Sequence, residues 1–165
     1  MKLDAASVGG TINVGNINIT GNKDLYLTAG TYNINSIVQN GNTVLHIDST
    51  AGPVILNVAG DGITGDVIKL NGGGISNPSL VPANLQIMYA GTQNVKFTGG
   101  AEAAALLYAP NASMAFTGGG TWRGAVIAGT LTDLGGAAIY YDRRLEAFSE
   151  MVGNYTMGSF SWKKY

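Results

Sequence analysis

The 165-residue chain contains no cysteine. That excludes disulfides, thiol nucleophiles and cysteine-ligated zinc, and it leaves the compartment open. Charge is scarce as well. Charged residues are 12% of the chain, about half the roughly 25% usual in soluble domains. The net charge is −1, so no excess of Lys and Arg is present to neutralise phosphates, and nucleic acid is not an expected partner. The pairs Arg143–Arg144 and Lys163–Lys164 read as solvated surface. There are only 4 prolines and no Gly-X-Y period, so collagen is excluded. No apolar run reaches the ~18 residues of a membrane-spanning helix. The opening Met1-Lys2-Leu3-Asp4 is not followed by the apolar stretch of a signal peptide, so an exported protein would carry its targeting segment outside this chain.

What the chain does have is glycine, at 25 residues, and 45% hydrophobic residues. Short β-type runs recur between Gly, Asn, Asp and Pro: Thr11 to Val14, Ile17 to Thr20, Leu25 to Thr28, Tyr32 to Asn35, Val44 to Ile47, Val54 to Val58, Val67 to Leu70 and Leu85 to Tyr89. Val, Ile, Leu, Thr and Tyr dominate these runs, as strand propensity expects. Helix evidence is thin. Ala101 to Leu107 is rich in helix formers but short, and its small residues suit the crowded inside of a solenoid turn equally well. Tyr141 to Met151 is the better helical candidate, with Leu145, Phe148 and Met151 or Val152 on one side.

A repeat decides the fold class. Val95-Lys96-Phe97-Thr98-Gly99-Gly100 resembles Met114-Ala115-Phe116-Thr117-Gly118-Gly119, an offset of 19, and Leu131-Thr132-Asp133-Leu134-Gly135-Gly136 continues it at 17. Stacked coils of this length pair each strand with its equivalent about 4.8 Å above and below. An antiparallel sandwich, the structural alternative, gives no similarity at this spacing. The expectation is therefore all-β: a single-stranded parallel β-helix (solenoid) with coils of about 17–19 residues, some eight of them, as one domain over 1–165. Residues 1–94 form irregular N-terminal coils, 95–145 carry the clearest repeats, and 146–165 form a C-terminal cap or tail with an aromatic strand, since solenoid ends need covering.

Few residues suggest chemistry. His46, the only histidine, alternates with apolar neighbours and reads as a solvent-facing strand residue without a nucleophile elbow. Asp61 and Asp66 flank glycines, which raises calcium binding at Asp61/Asp66 or glycoside cleavage against a plain turn, and a turn is favoured. The triplets Gly72–Gly74 and Gly118–Gly120 lack the Lys-Ser/Thr of a phosphate loop and read as corners. Trp122 and Arg123 sit beside a corner, where Trp122 either packs in the core or presents an aromatic face. Tyr155, Phe160 and Trp162 in the tail form either a brace or an exposed stripe. Those five residues are the candidate surface-binding set. Thr98 and Thr117 should share one column, and threonine columns on a flat solenoid face raise ice binding.

The second half also has a family look. Tyr108-Ala109-Pro110-Asn111-Ala112, then Thr117-Gly118-Gly119-Gly120, Gly124-Ala125 and Tyr141-Asp142 before Leu145, resemble a bacterial C-terminal domain of unknown function found in type IV pilus-associated, minor-pilin-like proteins and other surface proteins. The final Ser161-Trp162-Lys163 fits it too. The likeness covers roughly residues 85–165. It implies a parallel β-helix at the cell surface and carries no catalytic residue. The expected function is a non-enzymatic structural or adhesive extracellular module of a pilus-like or cell-surface assembly. The alternatives are a carbohydrate-binding or carbohydrate-degrading β-helix and, less favoured, an ice-binding solenoid. No cofactor or metal is expected. Partners would be other protein subunits, a glycan or surface ligand, or further copies stacked end to end.

Overall fold

The computed structural model describes residues 1–99, 102–133, 135–147, 151–152 and 155–156. In chain order the strands are β1 (Lys2–Leu3), β2 (Thr11–Ile19), β3 (Leu25–Thr28), β4 (Gly30–Gln39), β5 (Leu45–Asp48), β6 (Val54–Val58), β7 (Asp66–Asn71), β8 (Ile75–Ser76), β9 (Leu85–Tyr89), β10 (Asn94–Thr98), β11 (Glu102–Thr117), β12 (Thr121–Asp133), β13 (Ala138–Tyr141), β14 (Met151–Val152) and β15 (Tyr155–Thr156). Every pairing from β1 to β13 is parallel and joins one coil to the next. The fold is a β-solenoid of about seven turns.

The strands lie on three faces. Face A is the order β1-β3-β5-β8. The long strands bend across the other two. The first half of β4, Gly30–Ile34, pairs with β6 on face B, while Ile37–Gln39 pairs with β7 on face C. β2, β11 and β12 divide in the same way.

Alternation along each strand sends every second side chain inward, and the parallel register stacks those side chains into columns. On face B one column runs Ile12–Tyr32–Leu56–Ile87–Leu107–Val126. On face C another runs Ile17–Ile37–Ile68–Val95–Met114–Leu131. Face A contributes Leu25–Leu45–Ile75. Apart from the terminal coils these residues are almost wholly buried.

The face B column also measures the coils. Successive members are separated by 20, 24, 31, 20 and 19 residues, and Trp122 is followed by its partner Ile139 after 17. The expected 17–19 therefore holds only at the C-terminal end. The N-terminal coils, expected to be irregular, are regular in register. They are longer because the second and third carry loops between faces. After β8 face A is continued by the first residues of the later strands: Glu102–Ala105 of β11 pairs with Thr121–Gly124 of β12, which pairs with Ala138–Tyr141 of β13.

The return from face C is made by a column of glycines: Gly21, Gly41, Gly72, Gly99, Gly118 and Gly135, each packed on the one before. A Cβ on Gly99 would lie 2.8 Å from Gly72 O, and one on Gly118 2.8 Å from Gly99 O. Coil-to-coil spacing at this corner is thus incompatible with any side chain.

The first of the two segments takes the solenoid alternative. Residues 102–107 lie in β11, because pairing with β9 and β12 outweighs the weak intrinsic preference of alanine. Ala103, Ala104 and Ala105 are all buried, and Asn77 Nδ2 from the loop before β9 donates to Ala104 O at 2.9 Å. Alanine fits here because a loop lies over the strand. The helical candidate is corrected: among the described residues of the second segment a 3₁₀ turn forms at Arg143–Ala147, with Leu145 buried. β14 and β15 pair antiparallel. The rest of the expected C-terminal cap lies outside the described residues.

Candidate functional site

The most ordered surface feature is on face B of the first three coils. Asn13, Asn33 and Asn57 occupy one outward column. Asn33 Nδ2 donates to Asn13 Oδ1 at 2.8 Å, and Asn57 Nδ2 donates to Asn33 Oδ1 at 2.9 Å. At the corner towards face C, Asn35 Nδ2 donates to Asn16 Oδ1 at 2.8 Å and to Asp61 O at 3.1 Å, and the Asp61 N–H donates to Asn35 Oδ1 at 2.7 Å. Ser36 Oγ adds a bond to Asn16 Oδ1 at 2.9 Å. Asn33 and Asn35 both donate and accept, so the row polarises along the rod axis and holds these side chains in one rotamer. A shallow groove lies beside it, lined by Asn13, Gly15, Asn33, Asn35 and Asp61. In the next three coils the same outward column holds Met88, Tyr108 and Ile127.

A second cluster sits on face A. His46 stacks on Tyr26 with ring centroids 4.4 Å apart and an interplanar angle of 7°. Its Nε2 lies 3.2 Å from Asp24 Oδ2, while Asp24 Oδ1 accepts the Val44 N–H at 2.9 Å. The Val44 amide first, and His46 second, lower the Asp24 carboxyl from its ordinary value. The half-exposed His46 faces outward as expected, and its contacts tie one coil to the next.

Of the candidate surface set, Trp122 and Arg123 point to opposite sides of β12. Trp122 is 2% exposed, so the exposed alternative is corrected. Its ring stands edge-on to Phe97 at 4.9 Å and to Phe116 at 5.6 Å. It is inward because its position pairs with the buried Ala103 of β11, and alternation along the strand turns the next residue out. Arg123 points the other way, paired with Glu102 and 5.6 Å from the ring centroid of Tyr140. The hydrogen bond that Arg123 donates to Glu102, and then the charge of Glu102, raise the Arg123 pKa further. Tyr155 lies in β15, and Phe160 and Trp162 lie outside the described residues.

Thr98 and Thr117 do share a column, through the β10–β11 register. Their hydroxyl oxygens, however, are buried, so this column presents none to solvent and the ground for ice binding is removed. Asp61 and Asp66 occupy a turn and the start of β7. Among the described residues, no three His, Asp or Glu side chains come together as metal ligands.

Residues 62–148, just over half of the chain, match the family model of a domain of unknown function, DUF7305. The chain belongs to this family. No curated protein and no solved structure matches it. The DUF7305 span takes in β7 to β13 and the loop before β9. The asparagine column at positions 13, 33 and 57 precedes it. That column was missed in the sequence, though a signal existed: Thr11-Ile12-Asn13-Val14 and Thr31-Tyr32-Asn33-Ile34 are the same strand 20 residues apart.

Proposed function

We propose that the chain is a non-enzymatic structural or adhesive module, displayed outside the cell in a cell-surface or pilus-like assembly. The observation that carries this is the amide row of Asn13, Asn33 and Asn57. It is a flat, uncharged, exposed surface whose donors and acceptors are held at a fixed repeat. Such a surface meets another polar surface without first having to order its own side chains. Low overall charge and the likeness to surface-protein domains add support.

A second use of the same surface is carbohydrate binding, favoured by the groove of Asn and Asp side chains beside the row. The purified chain is to be tested for binding to bacterial surfaces, to candidate subunits and to a glycan array, alongside an Asn13→Ala/Asn33→Ala/Asn57→Ala variant. Binding that the variant loses supports the proposal, and a glycan signal selects the second use. Monodisperse rods without affinity for any of them overturn both.

A further inference from the structure

Phe97, Phe116 and Trp122 do not close their corner completely. A cavity of about 40 Å³ remains, bounded also by Thr98, Thr117 and the glycine corner. Three polar atoms of its wall residues have no hydrogen-bond partner among the described residues: Thr98 Oγ1, Thr117 Oγ1 and Trp122 Nε1. Buried polar groups are almost always paired, and the cost of leaving them unpaired is larger than the net gain from an ordinary hydrogen bond. A space on the order of 10–15 Å³ suffices for one water, which needs two to four polar partners. The cavity meets both conditions, whereas an apolar occupant would leave all three groups unpaired.

We propose that this cavity is a built water site, holding one or two long-lived waters. The water accepts the Trp122 Nε1–H and exchanges hydrogen bonds with the Thr98 and Thr117 hydroxyls. Thr98 belongs to β10, Thr117 to β11 and Trp122 to β12. The water therefore links three successive coils. The repeated Thr-Gly-Gly has two roles: its glycines turn the corner and its hydroxyl faces the water.

The test is nuclear magnetic resonance on the full chain with 15N-labelled tryptophan, using Trp162→Phe to assign the two indoles. A water cross-peak to the Trp122 indole proton is expected, with the sign of a slowly exchanging bound molecule. In Thr98→Val/Thr117→Val the cross-peak is expected to disappear and the Tm to fall by roughly 2–4 °C. A wild-type indole proton that is protected from exchange yet shows no water contact overturns the site, because its acceptor is then the protein. So does a double variant with an unchanged indole resonance and a Tm at or above wild type. Should the double variant not fold, the wild-type spectrum alone decides.

Discussion

Two halves of one rod fill the same interior differently. From Thr11 to Asn84 face A is made by separate short strands, and aliphatic columns such as Leu25–Leu45–Ile75 lie behind it. From Glu102 onward the same face is the first part of β11 and β12, which run on without a break to the other faces, and the interior holds the rings of Phe97, Phe116 and Trp122. The surfaces differ in step. The first half presents hydrogen-bonded amides where the second presents Met88, Tyr108 and Ile127. The lesson is that a solenoid interior can be filled by aliphatic columns or by rings, because closure requires apolar contact and not a particular side chain. The glycine corner is common to both halves.

That contrast can be broken most severely at the shared corner. Gly72 has φ +101° and its Cβ would overlap Gly41 O. Gly72→Ala is expected to cost more than ~4 kcal/mol, read as loss of the cooperative urea transition. Next comes the interior. Trp122→Ala should cost about 3–5 kcal/mol, and Leu45→Ala, in the aliphatic half, about 2–5 kcal/mol. Urea melts of the two variants compare ring packing with aliphatic packing directly. A Trp122→Ala effect below ~1 kcal/mol would mean that the rings do not hold the second half together. Asn33 stands in the middle of the amide row. Asn33→Ala removes two exposed hydrogen bonds and should cost about 0.5–1 kcal/mol, with an unchanged urea m-value.

The smallest effect concerns pH. The Asp24 carboxyl is depressed in the folded state by the Val44 amide and by His46. A depressed carboxyl contributes stability that is fully present above its unfolded pKa of ~3.9 and lost as pH falls through the folded value. Asp24→Asn should therefore lower the Tm slightly at pH 7 and lessen the difference between pH 7 and pH 3. A variant whose Tm falls equally at both pH values would assign the effect to packing on Tyr26 and His46 instead.

Much of the second half was legible, because Phe97-Thr98-Gly99 and Phe116-Thr117-Gly118 repeat with no insertion between them. The first half was legible as strands but not as coils. Its repeat of 20 is followed by 24 and 31, and the loops at 49–53, 59–65 and 77–84 hide the period. Trp122 illustrates the limit for the site. Nothing local distinguishes an aromatic residue that stacks outward at a corner from one that turns in, since the answer depends on the register that pairs it with Ala103 and Ile139.

The amino-acid order by itself determined the class of the molecule. Glycine and asparagine between short alternating strands leave parallel stacking as the arrangement that satisfies both backbone and side-chain periods. The tertiary structure alone decided how long each coil is and how its strands join, and with that which residues are core and which are surface. Those choices depend on contacts between residues 17 to 31 positions apart, and register between coils is set by how whole columns fill the interior together.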